Sequence, residues 1–404
     1  MRVEVAVIGA GASGMVASIL LARAGRKVLL IERQDRGGKK ILASGNGRCN
    51  IANIKISKDN FYGSNRALID SLLKEYSLKD IVDFFKSIGL EIKESEDGRL
   101  FPLSMQSSTV LELLNAEIER LNIKRAFSVK DLKIDSNFNI FFKNYIYKAK
   151  SIIIATGSPA AEQLGGNSSG LNIAKSFGHT ILKPLPALVP LYSKAPICKE
   201  AQGVKLVVKL SLIAENKEIT SKSGDLLFTK YGLSGLSVLD ISIEVARAIK
   251  ANKICYILID FFPQFSKKEL FSFLKKRVNK ERNLKLINWL NGIINIKISQ
   301  TILKDLKLDK RGEKELNSSI LKALVGLLKE YRVKIDKLRE FKYAEVAIGG
   351  VDSKELDLTL QSKKRKGLYF IGEVVDFVGD RGGYNFIFAW YSAMRVGKEL
   401  IDNG

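Results

Sequence analysis

Apolar and polar positions near the start of the chain predict a strand, a helix and a second strand. Residues 3–8 form a compact apolar run, which is typical of a strand buried on both faces of a parallel sheet. A glycine-containing turn follows, and residues 15–24 have a helical pattern that is closed by Gly25. Residues 27–31 are apolar again, so the first segment of the chain forms a strand–turn–helix–strand unit.

The pattern continues with elements of the same kind. Residues 37–53 are rich in Gly, Ser, Asn and basic residues, so we expect a long loop, and such loops are usually functional. Further elements are predicted as helices over 66–87, 108–121, 170–177 and 385–400, and as strands over 126–134, 140–142, 145–147, 151–155 and 367–372.

A proline-rich segment marks the point where the chain is expected to leave its first domain. Four of the seven prolines lie between residues 184 and 196, and domain boundaries fall in stiff, extended segments. Strand patterns at 205–214 and 226–228 follow, and then Lys-rich amphipathic helices between 266 and 328.

These patterns predict an α/β fold with a discontinuous first domain. An apolar, glycine-ending pattern returns at 343–351 and resembles the first part of the chain. We therefore expect a nucleotide-binding domain at 1–190 and 343–404, interrupted by an inserted substrate or cap domain at 191–342.

The glycine turn has the spacing that dinucleotide binding requires. Gly9 permits the tight turn, Gly11 lets a pyrophosphate approach the backbone, and Gly14 lets the helix pack closely on the strand. The helix N-terminus, which includes Ala12 and Ser13, faces the phosphate charge. Glu32 ends the second strand, where an acid accepts the ribose hydroxyls and disfavours the 2′-phosphate of NADP.

Three later segments favour FAD over NAD, because extended FAD needs contacts from several parts of the chain. Residues 152–157 form a buried strand that ends in small residues, and residues 368–373 form a strand that ends in Gly372 and Glu373. We expect Glu373 to bind the ribityl hydroxyls. The amides that open the last helix, at 382–385, are placed to face the flavin.

With these motifs in place, the sequence resembles the BaiN/YhiN family of FAD-binding oxidoreductases, also described as aminoacetone-oxidase-like flavoproteins. The most specific match is GKKILASGNGRCN at residues 38–50. Further matches lie at 9–14, 155–157, 186–191, 227–235, 349–351, 367–373 and 382–385, which together span nearly the whole chain. The resemblance implies a Rossmann-like FAD-binding domain that carries an inserted β-barrel-plus-helices domain.

Several positions depart from the family pattern. Ser158 stands where a glycine is expected, Ala347 stands where a threonine is common, and Leu360 and Gln361 replace a Met-Glu pair.

The motifs and the resemblance together give a set of predicted cofactor contacts. They are Gly9, Gly11, Ala12, Ser13, Gly14, Glu32, Arg33, Lys40, Ser44, Gly45, Asn50, Val129, Ala155, Thr156, Gly157, Gly372, Glu373, Gly383, Tyr384 and Asn385.

Candidates for the reacting centre lie in the loop at 44–50 and at the start of the last helix. Arg48 is suited to bind a substrate carboxylate or anionic flavin, and the alternative is a structural arginine that pairs with a loop carbonyl. Cys49 is a candidate redox thiol. Because it lacks a nearby second cysteine, the alternative is a small buried side chain that packs in the core and does not react. Tyr384 is a candidate substrate contact. His179 follows a helix end, where it caps carbonyls or acts as an acid–base group.

Composition limits the chemistry and the location. Three widely spaced cysteines and a single histidine argue against disulfides, against a metal site and against Ser-His-Asp catalysis. No signal peptide and no membrane span are predicted, so we expect a cytoplasmic protein.

The charge leaves one alternative open. The chain has 66 Lys and Arg against 43 Asp and Glu, a net charge of +23. The lysines are scattered, which favours a solvated coat. RNA is the alternative partner, and its predicted contacts are Lys267, Lys268, Lys275, Lys276, Arg277, Lys280 and Arg282.

The leading prediction is an FAD-dependent oxidoreductase that exchanges a hydride between flavin and a small organic substrate. A second GxGxxG is missing from the sequence, so NAD(P)H is expected only as a transient donor. The alternatives are an RNA-associated flavoprotein that uses its basic surface, and a redox-responsive binding protein without turnover. The oligomeric state is left open.

Overall fold

The chain divides into two compact units, each with its own hydrophobic core. The structure is a computed structural model that describes residues 1–278, 284–312 and 316–403. Unit 1 consists of Met1–Leu185 and Val346–Gly404, and unit 2 consists of Pro186–Glu345. The boundaries thus lie at 185/186 and 345/346, whereas the proline pattern and the returning apolar pattern had suggested 190/191 and 342/343.

The first part of unit 1 alternates strands and helices. Its strands are β1 (Arg2–Ile8), β2 (Val28–Ile31), β3 (Ala52–Asn53), β4 (Phe61–Gly63), β5 (Ile92–Glu94), β6 (Arg99–Pro102), β7 (Lys124–Ala126), β8 (Lys133–Ile134), β9 (Asn139–Phe142), β10 (Tyr145–Ile154) and β11 (Ile181–Ala187), whose last two residues belong to unit 2. Its helices are α1 (Ala12–Arg23), α2 (Lys39–Ala43), α3 (Arg66–Glu75), α4 (Leu78–Ser87), α5 (Ser107–Arg120) and α6 (Ser169–Ser176).

Unit 2 and the return to unit 1 complete the chain. The strands of unit 2 are β12 (Leu191–Tyr192), β13 (Lys205–Ala214), β14 (Lys217–Thr229), β15 (Gly232–Ser234), β16 (Cys255–Asp260), β17 (Tyr331–Ile335) and β18 (Lys337–Leu338). Its helices are α7 (Pro196–Glu200), α8 (Leu236–Lys250), α9 (Lys267–Val278), α10 (Leu286–Asn291), α11 (Ile296–Asp305) and α12 (Ser318–Lys329). Unit 1 ends with β19 (Val346–Val351), β20 (Leu368–Phe370), β21 (Phe377–Gly379) and α13 (Tyr384–Asp402).

The central sheet of unit 1 is parallel where the cofactor motifs lie. Its order is β7-β2-β1-β10, and β20 pairs with the other edge of β10. All four residues of β2 and the last four of β1 are buried, as is typical of parallel strands that are covered on both faces. The first half of β10 instead pairs antiparallel with β9. The fold is therefore α/β with a Rossmann-like parallel core, as predicted.

Close backbone contacts explain two glycines of the first turn. A Cβ on Gly14 would lie 1.9 Å from the carbonyl oxygen of Gly9. Gly9 has φ +109°, and its Cβ would lie 2.4 Å from the carbonyl oxygen of Ala155. The turn therefore holds α1 so close to β1 and β10 that no side chain fits at Gly9 or Gly14.

Some elements differ from the sequence expectation. The segment 37–53 contains the short helix α2 and the strand β3, so it is not a continuous loop. The strand predicted at 126–134 is broken into β7 and β8, and the strands predicted at 145–147 and 151–155 are one strand, β10. Lys148 and Lys150 hide this continuity in the sequence, because they lie on the exposed side of β10.

The sheet of unit 2 curls on itself. Its order is β17-β16-β13-β14-β15-β12-β18, so β17 and β18 lie at opposite ends. A single residue, Asp336, separates these two strands along the chain, and its N–H donates to the carbonyl of Tyr192 in β12. The ends of the sheet must therefore approach each other, which gives the barrel-like form that the resemblance implied.

None of the helices within residues 1–278, 284–312 and 316–403 combines the length and the apolar character that a membrane crossing needs.

Candidate functional site

The four segments that are predicted to contact the cofactor follow strands that end at the same level of the parallel sheet. Ile31, Ile8, Ile154 and Phe370 are paired in register across β2, β1, β10 and β20, and each is the last residue of its strand. The glycine turn, Glu32, the Ala155–Thr156–Gly157 segment and Gly372 therefore all start from one edge. This edge is where ligands bind in open parallel sheets.

Glu32 is fixed beside the glycine turn. Its Oε2 accepts a hydrogen bond from the Ala10 N–H at 2.8 Å, and its Oε1 accepts one from the Gln34 N–H at 2.8 Å. The N–H of Val129 donates to the Glu32 carbonyl at 3.0 Å, which brings a second predicted contact to the same place. The carboxylate is oriented and retains lone pairs for ribose hydroxyls. Arg33 next to it is exposed.

Glu373 joins three segments that are far apart in sequence. Lys40 Nζ in α2 lies 2.8 Å from Glu373 Oε2. Ser158 Oγ donates to Glu373 Oε1 at 2.6 Å, and the Ala347 N–H donates to the same oxygen at 3.1 Å. Lys40 and Glu373 had been predicted separately. Ser158 and Ala347 had been noticed only as departures from the family pattern, and both meet this carboxylate.

The N-terminus of α1 lies against the end of β20. A Cβ on Gly372 would lie 2.6 Å from Ser13 Oγ. Gly11 is the N-cap residue, and no side chain caps the helix. A Cβ on Gly11 would meet no atom of the described chain closer than the Ala155 carbonyl oxygen at 4.0 Å. The first amides of α1 are therefore available to a phosphate.

The loop at 44–50 folds back on itself. Gly45 has φ +57°, and its Cβ would lie 3.0 Å from the Asn50 nitrogen. Ser44 Oγ donates to the carbonyl of Ile41 at 2.7 Å. Asn50 is 7% exposed, and its Oδ1 has no hydrogen-bond partner among the described residues. A buried acceptor without a partner is costly, so it marks a place where a ligand donor fits.

Cys49 does not fit the redox role that its sequence position left open. The residue is fully buried, and burial raises the pKa of its thiol to about 12. The thiolate is the reactive form, so this thiol is unreactive near neutral pH. Cys49 is better described as part of the core beneath the loop, and this corrects the catalytic assignment.

Arg48 is anchored at one end only. Its Nε donates to the Gly45 carbonyl at 3.0 Å, and its guanidinium lies 5.2 Å from the centre of the Phe101 ring. Phe101 had no sequence signal, because it comes from β6, far along the chain. The contact holds the arginine in place and leaves its terminal nitrogens without a hydrogen bond to the described residues.

The start of α13 is held by its own side chains. Tyr384 Oη donates to the Lys55 carbonyl at 2.9 Å, and burial raises the pKa of this phenol. The Asn385 amide bonds both the N–H and the carbonyl of Gly379, at 2.8 and 2.9 Å. These side chains stabilise the chain, which argues against the predicted substrate contact of the Tyr384 hydroxyl. The predicted flavin contact of the backbone amides at 382–385 does not involve these side-chain bonds and stays a prediction. Gly383, with φ +101°, lies against Ala52.

In the segment after β10, residues 155–157, some groups pack against the protein and others are open to a cofactor. Thr156 Oγ1 is buried, and a Cβ on Gly170 would lie 1.9 Å from it, so this hydroxyl packs against α6. Ala155 packs against the glycine turn, and Gly157 has φ +73° with open space around it. The backbone of this segment at Gly157 is therefore open to a cofactor contact.

His179 lies in a separate polar cluster. Its Nδ1 lies 3.0 Å from Glu355 Oε2, and its Nε2 lies 2.7 Å from Ser362 Oγ. Burial lowers the pKa of His179, although Glu355 opposes the shift. The cluster ties the end of α6 to the segment between β19 and β20, which is a structural role. The described residues also contain no group of three or more His, Cys, Asp and Glu side chains that is arranged for a metal ion.

The edge of the sheet fits FAD in three respects. Glu32 is oriented beside the turn, the amides of α1 are uncapped, and Asn50 Oδ1 is buried without a partner in the described chain. These are an acid for the ribose, a seat for the pyrophosphate and a polar atom in the loop of the predicted flavin end.

Comparison with known proteins decides the family. The model of the HI0933-like protein Rossmann domain matches residues 3–399. The chain belongs to the HI0933-like family. This confirms the resemblance to BaiN/YhiN proteins and, with it, the Rossmann-like FAD-binding fold and an FAD-dependent oxidoreductase.

Two relatives in the HI0933-like family align over nearly their whole length. A 3-dehydro-bile acid Δ(4,6)-reductase of Clostridium scindens is 31% identical over 406 residues, which cover 99% of each chain. A ribosomal RNA dihydrouridine synthase of Escherichia coli is 32% identical over 405 residues, which cover 99% of this chain and 98% of the relative.

A solved structure shares the fold. The 3-ketosteroid Δ4-(5α)-dehydrogenase of Rhodococcus jostii has a TM-score of 0.51 and 14% identity, and the alignment covers 99% of this chain and 97% of that chain.

Proposed function

We propose that the chain reduces a carbon–carbon double bond that is conjugated to a carbonyl group. The names of the two relatives share this chemistry. A 3-dehydro-Δ(4,6) compound has a ketone conjugated to two double bonds, and dihydrouridine is uridine whose C5=C6 bond, next to the C4 carbonyl, is reduced. Both relatives match this chain over its full length.

The observation that carries the proposal is the register of four strand ends. Because β2, β1, β10 and β20 end together, Glu32, the uncapped α1 and the Lys40–Glu373 pair share one edge, where FAD fits. FAD bound at this edge would supply, in its reduced form, a hydride to the β-carbon of the conjugated bond, and the α-carbon would take a proton from water.

Arg48 is the residue that we propose for the substrate carbonyl. A guanidinium beside that oxygen polarises the conjugated bond and stabilises the negative charge that develops when the hydride adds. Gly45 and Phe101 hold the side chain in place, so little motion is needed. We propose NAD(P)H as the source of the two electrons.

The test follows the visible absorbance of the flavin under anaerobic conditions. The purified holoprotein is first treated with NADH or NADPH, and bleaching identifies the donor. A steroid dienone, a uridine-containing RNA or cyclohexene is then added to the reduced protein. Cyclohexene, which lacks a carbonyl, is the control. We expect a conjugated substrate to restore the oxidised spectrum and to gain two hydrogens by mass.

The Arg48→Lys variant tests the assigned role. We expect it to keep its FAD and its reduction by NAD(P)H, and to lose about 100-fold in the rate of reoxidation by the conjugated substrate. Reoxidation by none of the conjugated compounds would contradict the proposed reaction, and an unchanged rate in Arg48→Lys would contradict only the role of Arg48.

A uracil base within RNA is a second candidate substrate. The net charge of +23 and the name of the Escherichia coli relative favour it over a neutral steroid. The two candidates share the reaction and differ in how the rest of the substrate is bound.

A further inference from the structure

Three tyrosines and three cations of unit 2 form a compact group, which we name the tyrosine–arginine cluster. Its members are Tyr192, Tyr231, Tyr343, Lys337, Arg339 and Lys342. The Arg339 guanidinium carbon lies 3.4 Å from the ring centre of Tyr343 and 4.0 Å from that of Tyr231. It lies 5.6 Å from the centre of Tyr192, which meets Tyr231 edge-on.

Two lysines complete the cluster on its exposed side. Lys337 Nζ lies 4.6 Å from the centre of the Tyr192 ring, and Lys342 Nζ lies 5.1 Å from that of Tyr343. Glu340 is the acid that faces them, at 3.9 Å from both Lys337 Nζ and Arg339 Nε. Three cations against this acid leave the group positive.

The cluster presents ring surface as well as charge. Tyr343 is 40% exposed, so part of its ring faces solvent. Arg339 is only 13% exposed, and its Nε is buried with no hydrogen bond to any described residue. Tyr192 and Tyr231 are half-buried, so Tyr343 is the exposed ring of the cluster. A fixed arginine beside an exposed ring is suited to an aromatic ligand that carries negative charge.

We propose that the tyrosine–arginine cluster binds nucleotides of single-stranded RNA. Proteins hold such strands by stacking bases on aromatic rings and by pairing phosphates with nearby cations, and both are present here. The inference deepens the RNA candidate above and rests on it for the identity of the partner. RNA binding is measured without turnover, so a failure of this inference can be distinguished from a failure of the proposed reaction.

The Lys-rich helix that the sequence suggested for RNA is less suited. Lys268, Lys275 and Lys276 are exposed on α9, but Arg277 turns inward over the Trp289 ring at 5.4 Å. Lys267 is paired with Glu330 at 2.7 Å. Lys280 and Arg282 lie outside the described residues. The described part of α9 therefore offers charge without exposed rings, and it provides a matched control.

The test measures the affinity of the holoprotein for a fluorescein-labelled single-stranded RNA of about 15 nucleotides, long enough for one binding module. Fluorescence anisotropy is recorded between about 50 and 200 mM KCl. The variants are Tyr343→Ala, Tyr343→Phe and the double variant Lys337→Ala/Lys342→Ala. Controls are Tyr145→Ala, another exposed tyrosine, and Lys268→Ala/Lys275→Ala, which removes the same charge from α9.

We expect Tyr343→Ala to weaken RNA binding about tenfold, while Tyr343→Phe, which keeps the ring, binds like the wild type. The double lysine variant should lower the slope of log affinity against log salt by about 1.4, since each phosphate contact on a single strand contributes about 0.7. The controls should stay within about twofold of the wild type.

The inference would be overturned by a lack of RNA binding in the wild type, by wild-type affinity in the cluster variants, or by an equal loss of affinity in the α9 control. A raised KM for NADPH in Tyr343→Ala with unchanged RNA binding would also overturn it, because the cluster would then hold the dinucleotide. If RNA binds through the cluster but no conjugated bond is reduced, the result contradicts the proposed reaction and supports the RNA-binding surface.

Discussion

Two buried asparagines near the cofactor edge differ in what their side chains bind. Asn50 and Asn53 are 7% and 6% exposed. Asn53 Nδ2 donates to the Gly382 carbonyl at 3.0 Å, and its Oδ1 accepts the Lys55 N–H at 2.9 Å. Asn50 Oδ1 has no partner within the described chain. The same residue type therefore serves the fold at one position and is suited to a ligand at the other.

This contrast predicts opposite effects of one substitution. Asn53→Ala should destabilise the FAD-free protein by about 1–3 kcal/mol, because two hydrogen bonds are lost, and should change FAD affinity little. Asn50→Ala should leave the FAD-free protein nearly as stable and weaken FAD binding about three- to tenfold. Thermal unfolding and fluorescence titration with FAD measure the two quantities. Equal effects of the two variants on FAD affinity would remove Asn50 from the site.

At the scale of elements, the His179 cluster joins α6 to the segment before β20. Lys364 Nζ and Thr180 donate to Glu355, which lies against His179. Burial raises the pKa of Glu355, but the hydrogen bonds from Lys364 and Thr180 outweigh it and hold the pKa at about 2. Because β20 is the outermost parallel strand of the cofactor edge, this cluster supports the position of Gly372 and Glu373.

The cluster predicts how stability depends on pH. The pKa of His179 is lowered by folding, so the unfolded chain takes up its proton first and stability falls as pH decreases below about 6.5. Glu355 stabilises the fold above pH 4.5, its usual pKa, and this stability is lost as pH falls toward about 2.

Thermal midpoints of the wild type, of His179→Gln and of Glu355→Gln between about pH 8 and 2.5 measure this dependence. The chain has one histidine, so the loss that begins near pH 6.5 should disappear in His179→Gln. The loss below pH 4.5 should remain in that variant and be reduced in Glu355→Gln. Identical profiles of the wild type and His179→Gln would show that the histidine does not titrate in this range.

At the scale of the whole molecule, each unit has its own core and its own tryptophan. Trp390 is buried in unit 1, and its Nε1 donates to the Ile51 carbonyl at 2.9 Å. Trp289 is 2% exposed in the core of unit 2. Two cores in one chain allow unfolding in two steps. FAD should stabilise the unit that holds its binding edge.

Single-tryptophan variants separate the two units. Trp289→Phe leaves Trp390 to report on unit 1, and Trp390→Phe leaves Trp289 to report on unit 2. With FAD at 100 times its Kd, the urea midpoint of the Trp390 signal should rise by the equivalent of about 2.7 kcal/mol, and that of the Trp289 signal should rise less. Equal shifts would mean that both units unfold as one cooperative body.

The sequence by itself determined the features that depend on neighbours along the chain. The apolar runs of β1 and β2, the spacing of Gly9, Gly11 and Gly14, and the acid at Glu32 follow from local sterics and burial. The strands β1 and β2 and the glycine turn between β1 and α1 were predicted correctly. The cofactor contacts of the three glycines and of Glu32 stay predictions. The helix α8 was not predicted, because several of its buried apolar residues are Val and Ile, which favour strands.

Only the tertiary structure decided which side chains meet. Lys40 and Glu373 are 333 residues apart and touch because β20 returns to the edge of β10. Ser158 and Ala347 become partners of Glu373 for the same reason, and Phe101 reaches Arg48 through β6. The burial of Cys49 and the engagement of Tyr384 also depend on distant segments. Strand pairing brings remote residues together, and the pattern of a single segment does not contain its partner.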